Sequence, residues 1–139
     1  MSEALQQHVD VLEARWLALA RLQRWEAAAT TGRALIAVAP DRSVGWLHHA
    51  YALRRATNGG LLAAFNALSP VAGKFPKEPT IPYNLACYTC QMQRDPTETM
   101  AWLQQAIAAG ERKKIIAMAL KDPDLEPLHA EIEKLKGRL

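Results

Sequence analysis

Tyr83-Asn84-Leu85-Ala86-Cys87-Tyr88, then Asp95-Pro96-Thr97-Glu98, then Trp102-Leu103 with Ala106-Ile107, is the stretch that decides the fold. Bulky and small residues recur in it at the three- and four-residue spacing of an amphipathic helix. Asp95-Pro96 punctuates it, because an aspartate accepts from unpaired first-turn amides and a proline at the first turn loses no hydrogen bond. Two helices joined by a tight turn are therefore predicted, the second closed by Gly110 in a left-handed ending. Glu98, three residues after Asp95, completes the pattern of a capping box. The same outline appears in Trp46-Leu47 with Ala50 and in Ala64 through Phe75-Pro76.

Working outward, the outline repeats at a regular distance. The small residues of the second helices, Ala28, Ala64 and Thr99, stand 36 and 35 residues apart. Those of the first helices, Ala50 and Ala86, stand 36 apart. The ends of the second helices, Pro40, Pro76 and Gly110, fall at steps of 36 and 34. A period of about 34 residues with two helices per unit is the signature of tetratricopeptide arrays.

The chain resembles the tetratricopeptide repeat family on particular residues. Arg24-Trp25-Glu26-Ala27-Ala28 through Ala39-Pro40-Asp41 is similar to a second helix and its ending, and Asn84-Leu85-Ala86-Cys87-Tyr88 to a first helix. Lys121-Asp122-Pro123-Asp124-Leu125-Glu126-Pro127-Leu128 resembles the closing segment after the last repeat of some small bacterial three-repeat members. The sequence departs from the family pattern at Trp16, where a small residue is usual, at Gly32, where an aromatic is usual, and at two extra residues near Asn58-Gly59-Gly60. The resemblance implies an all-α, right-handed α-solenoid: one domain over 1–139, with units at about 9–42, 43–78 and 79–110 and a capping region at 111–139.

Eight helices are predicted. They run from about Glu3 to Leu22, Trp25 to Val38, Ser43 to Thr57, Leu61 to Lys74, Ile81 to Gln93, Pro96 to Ala109, Glu111 to Lys121 and Glu126 to Lys136. Asp41 or Ser43 is expected to cap the third and Thr80 the fifth. The last helix, with Leu128, Ile132 and Leu135 on one side, is expected to cover the apolar face that a stack otherwise leaves open.

Composition supports this class and excludes others. Half of the 139 residues are hydrophobic and only 6% are aromatic, which suits packed Ala- and Leu-rich helices better than strands. No apolar run reaches the ~18–20 residues that span a bilayer, and Met1-Ser2-Glu3-Ala4-Leu5-Gln6-Gln7-His8 lacks the order of a secretion signal, so a cytoplasmic protein without membrane association is expected. A net charge of +3, with acids and bases mixed, gives no reason to expect a nucleic-acid partner. The basic clusters Arg54-Arg55 and Arg112-Lys113-Lys114 read as solvated helix faces or helix-end charge. No phosphate loop, His-Glu-x-x-His or nucleophile elbow is present, so no enzyme and no cofactor are expected.

By the resemblance, the first helices line a concave groove. Its expected partner-binding residues are Leu17 and Arg21, then Leu47, His48, Tyr51 and Arg55, then Tyr83, Asn84, Cys87 and Gln91, with Glu13 beside the first pair. Such a surface suits a peptide or protein segment, with aromatic anchors and arginine or amide contacts. The clamp that some family members use for C-terminal carboxylates is not matched: its positions carry Glu13, Leu17, His48, Thr80 and Asn84. The expected function is non-enzymatic protein–protein interaction by a monomer or weak homodimer. The alternatives are a small secretion-system chaperone, a self-assembling stack, and a thiol redox or metal protein using Cys87 and Cys90. Against the last, a thioredoxin motif needs a βαβ setting, and two thiolates fall short of the four ligands of structural zinc, so no metal is expected.

Overall fold

The computed structural model describes residues 1–137. Among them there are eight α-helices, three 3-10 turns and no strands. No helix among the described residues is long and apolar enough to cross a membrane. The helices are α1 (Glu3–Arg21), α2 (Trp25–Val38), α3 (Ser43–Arg55), α4 (Leu61–Leu68), α5 (Thr80–Gln91), α6 (Pro96–Ala109), α7 (Arg112–Lys121) and α8 (His129–Glu133). Where the repeat spacing divides the chain into three units and a closing region, its contacts divide it into two compact units, Met1–Val71 and Ala72–Leu139.

The five small residues that set the repeat spacing, Ala28, Ala50, Ala64, Ala86 and Thr99, are all 0% exposed. A small side chain at these points lets paired helices approach closely without leaving a void. Thr99 meets that demand with a polar group: its hydroxyl lies 2.7 Å from that of Thr89, which also bonds to the Ala86 carbonyl.

In the first unit, Val9 and Leu12 of α1 pack with Leu35 and Ala39, and Trp16 packs with Ala28, Ala29 and Ala52. The three alanines make room for the Trp16 indole. In the second unit, Ala86, Cys87, Cys90, Leu103, Ile107, Ile115 and Ile116 share one core with Leu125, Leu128, Ile132 and Leu135.

The turn between α1 and α2 has the same construction as the one between α5 and α6. Arg24 N–H donates to Leu19 O and Gln23 N–H to Ala20 O; Arg94 N–H donates to Thr89 O and Gln93 N–H to Cys90 O. This is the Schellman pattern of a helix C-terminus, with a left-handed residue after the cap. That residue is a glutamine in both turns, Gln23 at φ 57° and Gln93 at φ 59°. The two turns share a Gln-Arg pair, at 23–24 and at 93–94, that glycine-based punctuation does not reveal.

Several helix ends differ from the sequence-based expectation. The fourth helix gives way at Ser69 to a 3-10 turn, Ser69–Lys74, because Pro70 has no N–H for the next helical bond. The closing segment is not one helix from Glu126: a 3-10 turn spans Pro123–Leu128, with Pro127 inside it, before α8 and a second 3-10 turn at Lys134–Gly137. Asp95 does cap α6, but through the amide of Thr97 at 2.9 Å, and Glu98 pairs with Arg94 at 2.9 Å instead of reaching back. Neither Asp41 nor Ser43 caps α3, whose N-cap is Arg42, and Thr80 lies within the first turn of α5. Gly110 ends α6 extended at φ −125°, not left-handed. It lacks a side chain for a packing reason: a Cβ there would lie 2.6 Å from Ile115 Cδ1 and 3.1 Å from Pro79 Cβ.

Candidate functional site

In the first unit, α1 and α3 bound an open groove of about 770 Å³ lined by Trp16, Leu17, Arg21, Trp25, His48 and Tyr51, among others. Helical spacing explains most of the set: Leu17 and Arg21 lie one turn apart on α1, with Trp16 next to Leu17, while His48 and Tyr51 lie one turn apart on α3. The floor is aromatic. The His48 ring stacks on Trp16 at 4.0 Å and 7°, Tyr51 meets Trp16 edge-on at 5.7 Å, and Trp25 lies 5.9 Å from Tyr51. The Arg55 guanidinium covers the Tyr51 ring at 3.6 Å and donates to the Tyr51 carbonyl at 3.0 Å. Leu17 and Tyr51 remain 54% and 39% exposed, so apolar surface stays in contact with water. Leu47, half-buried, does not line this groove.

The stacking also fixes two polar groups. The Trp16 indole N–H is buried and has no hydrogen-bond partner among the described residues. An unmade bond of this kind costs about 1–3 kcal/mol, so packing rather than polarity sets the ring's position. His48 Nε2 lies 3.4 Å from Glu13 Oε1, and Glu13 thus faces a histidine in its own chain. Burial holds His48 below the ordinary histidine range, against the opposing pull of Glu13. Burial likewise lowers His49, whose Nδ1 lies 3.1 Å from the Ala29 carbonyl and which senses Arg33.

Both histidines therefore take up protons more readily in the unfolded chain than in the folded one. Their contribution to stability is complete above the unfolded-state value of about 6.5 and is lost as pH falls through that value toward the lowered folded ones. The melting temperature of the first unit is expected to fall between about pH 7.5 and about pH 5, and to fall less in a His48→Gln, His49→Gln variant. Equal falls in the two proteins would refute the linkage.

In the second unit, the expected groove residues are not all open. Tyr83 and Cys87 are buried. The Tyr83 hydroxyl donates to Asp122 Oδ2 at 2.8 Å, and the Cys87 thiol donates to the same oxygen at 3.6 Å. Gln91 is exposed, but its amide donates to the Asp124 carbonyl at 2.9 Å. Asp122 accepts in addition from the Asp124 amide at 3.0 Å, and its carbonyl lies 3.0 Å from His129 Nε2. The turn after α7 thus occupies the face of α5 that was expected to receive a partner. Burial, and then the Asp122 bond, push the Tyr83 hydroxyl far above the ordinary tyrosine range. Of the four, Asn84 and the small exposed part of Tyr83 line an opening, a pocket of about 480 Å³ shared with Thr80, Lys114, Ile115 and Met118.

One residue of each basic cluster has a structural duty. Arg112 donates to the Leu135 carbonyl at 2.8 Å, which ties α7 to the last turn, and Arg55 is stacked as described. Cys87 and Cys90 are both buried, and no disulfide joins them. Comparison with known proteins finds no match: no family model, no curated protein and no solved structure is detectably similar to the chain.

Proposed function

We propose that the chain is a non-enzymatic protein-interaction module that receives a partner segment on the α1–α3 face. One observation carries this reading: an open groove with an aromatic floor and two exposed apolar side chains, Leu17 and Tyr51, flanked by Arg21 and Arg55. Rings held by their own stacking lose little freedom when a partner buries them, and tyrosine and arginine are the types that dominate binding energy at interfaces. A segment with a bulky apolar side chain next to an acidic one fits this arrangement. The stacking of the helix pairs as a right-handed tetratricopeptide-like solenoid belongs to the same proposal. It is supported by the 34–36-residue spacing and by the two matching glutamine turns. A cytoplasmic setting belongs to it too, where thiols such as Cys87 and Cys90 stay reduced.

The test starts with affinity capture from native lysate and mass spectrometry, followed by titration of the identified partner. The double variant Tyr51→Ala, Arg55→Ala is expected to bind at least about 30-fold more weakly, since groove anchors typically cost 2 kcal/mol or more on truncation. Circular dichroism should show unchanged helicity. Unchanged affinity in a folded double variant would sink the groove assignment.

A further inference from the structure

Away from the groove, metal-binding donors converge beside α5. One ligand atom each from Cys87, Asp122 and Asp124 lies within 4.8 Å of the others. Cys87 Sγ and Asp122 Oδ2 are 3.6 Å apart, close to the edge of about 3.5 Å that a tetrahedral ion spans with sulfur at ~2.3 Å and oxygen at ~2.0 Å. A second, independent feature sits one helical turn on. The Cys90 thiol is only 8% exposed and makes no hydrogen bond among the described residues. It stands three residues from Cys87 on α5, on the same helix face, but outside the converged group of three ligand atoms.

We propose that Cys87, Asp122 and Asp124, joined by Cys90 as the fourth donor once its side chain rotates toward them, bind one thiophilic divalent cation of the zinc class. Two thiolates and two carboxylates suit a borderline ion and disfavour the all-oxygen shells of magnesium and calcium. Asp122 is already oriented by the Tyr83 hydroxyl and by the Asp124 amide, the kind of outer support that ligating carboxylates need. On binding, each cysteine releases its thiol proton to solvent and its sulfur bonds to the ion. The ion would join α5 to the Asp122–Asp124 turn and so add to the stability of the second unit. The ligands were hidden from sequence spacing because Asp122 lies 35 residues after Cys87.

The test is titration of the reduced full chain with Zn²⁺, and with Cd²⁺ and Co²⁺ as spectroscopic probes. One ion per chain should survive desalting, raise the melting temperature, and give thiolate charge-transfer absorption with Cd²⁺ and tetrahedral visible bands with Co²⁺. Cys90→Ser should roughly halve the cadmium absorption, and Cys87→Ser and Asp124→Asn should each weaken binding at least tenfold. Asp124→Asn keeps the backbone bonds of that residue, so it reports on the carboxylate in a folded chain. Mg²⁺ and Ca²⁺ should change nothing. Loss of the ion on desalting, full-strength absorption in Cys87→Ser, or unchanged affinity in Asp124→Asn would each overturn the proposal.

Discussion

A chain ended at Asp124 is expected to lose the cooperative folding of its second unit. The residues removed include Leu125, Leu128, Ile132 and Leu135, all buried in the same core as Cys87, Leu103 and Ile115. Burying one such side chain contributes about 1.5–3 kcal/mol, so the four together are worth on the order of 6–12 kcal/mol. That is comparable to the whole stability of a typical domain, about 5–15 kcal/mol. The removal also strips the Leu135 carbonyl from Arg112 and leaves that guanidinium without its bond. Loss of the cooperative transition of the second unit, binding of a hydrophobic dye and self-association are the expected readouts. A truncated chain that stays monomeric and melts at the temperature of the full one would remove the segment from the core. The single change Leu125→Ala is the milder version, with an expected loss of about 2–5 kcal/mol.

Gly32→Ala is expected to force the α2–α3 pair of the first unit apart. A Cβ at Gly32 would lie 2.7 Å from His49 Cα and 2.8 Å from His49 N. Both are main-chain atoms, so no side-chain rotation relieves the clash, and α2 and α3 must separate. Two effects oppose each other. Alanine in a helix interior is favoured over glycine by up to about 1 kcal/mol. Overpacking costs typically 1–3 kcal/mol and here also loosens Ala28, Ala29 and Ala52, which share a cluster with Trp16. The clash outweighs the propensity, and a net loss of about 1–2 kcal/mol lowers the melting temperature of a unit of this size by roughly 4–16 °C. A variant as stable as the parent would show that α2 and α3 are not in close approach at His49.

Much of the architecture could be read before any coordinates. Alternation of bulky and small residues at helical spacing placed eight helices, and the small residues that mark the repeat all turned out to be fully buried. Proline was the main source of misjudged ends: Pro70 and Pro127 convert expected α-helix to 3-10 turns. Gly32 stands where the pattern called for an aromatic, and only its distance from the His49 backbone explains the substitution.

The candidate groove divides along the same line. Leu17, Arg21, His48 and Tyr51 do come together in one opening, because α1 and α3 each place them by local helical periodicity. Tyr83 and Cys87 share that periodicity on α5, yet they are covered. What covers them, Asp122, is 39 residues from Tyr83 in sequence, and no local pattern announces a hydrogen bond across that distance. The sequence by itself determined what depends on near neighbours along the chain: helix positions, their apolar faces and the spacing of the small residues at their crossings. Only the tertiary structure decided which of those faces stays open to water, because exposure depends on what the rest of the chain packs against each helix.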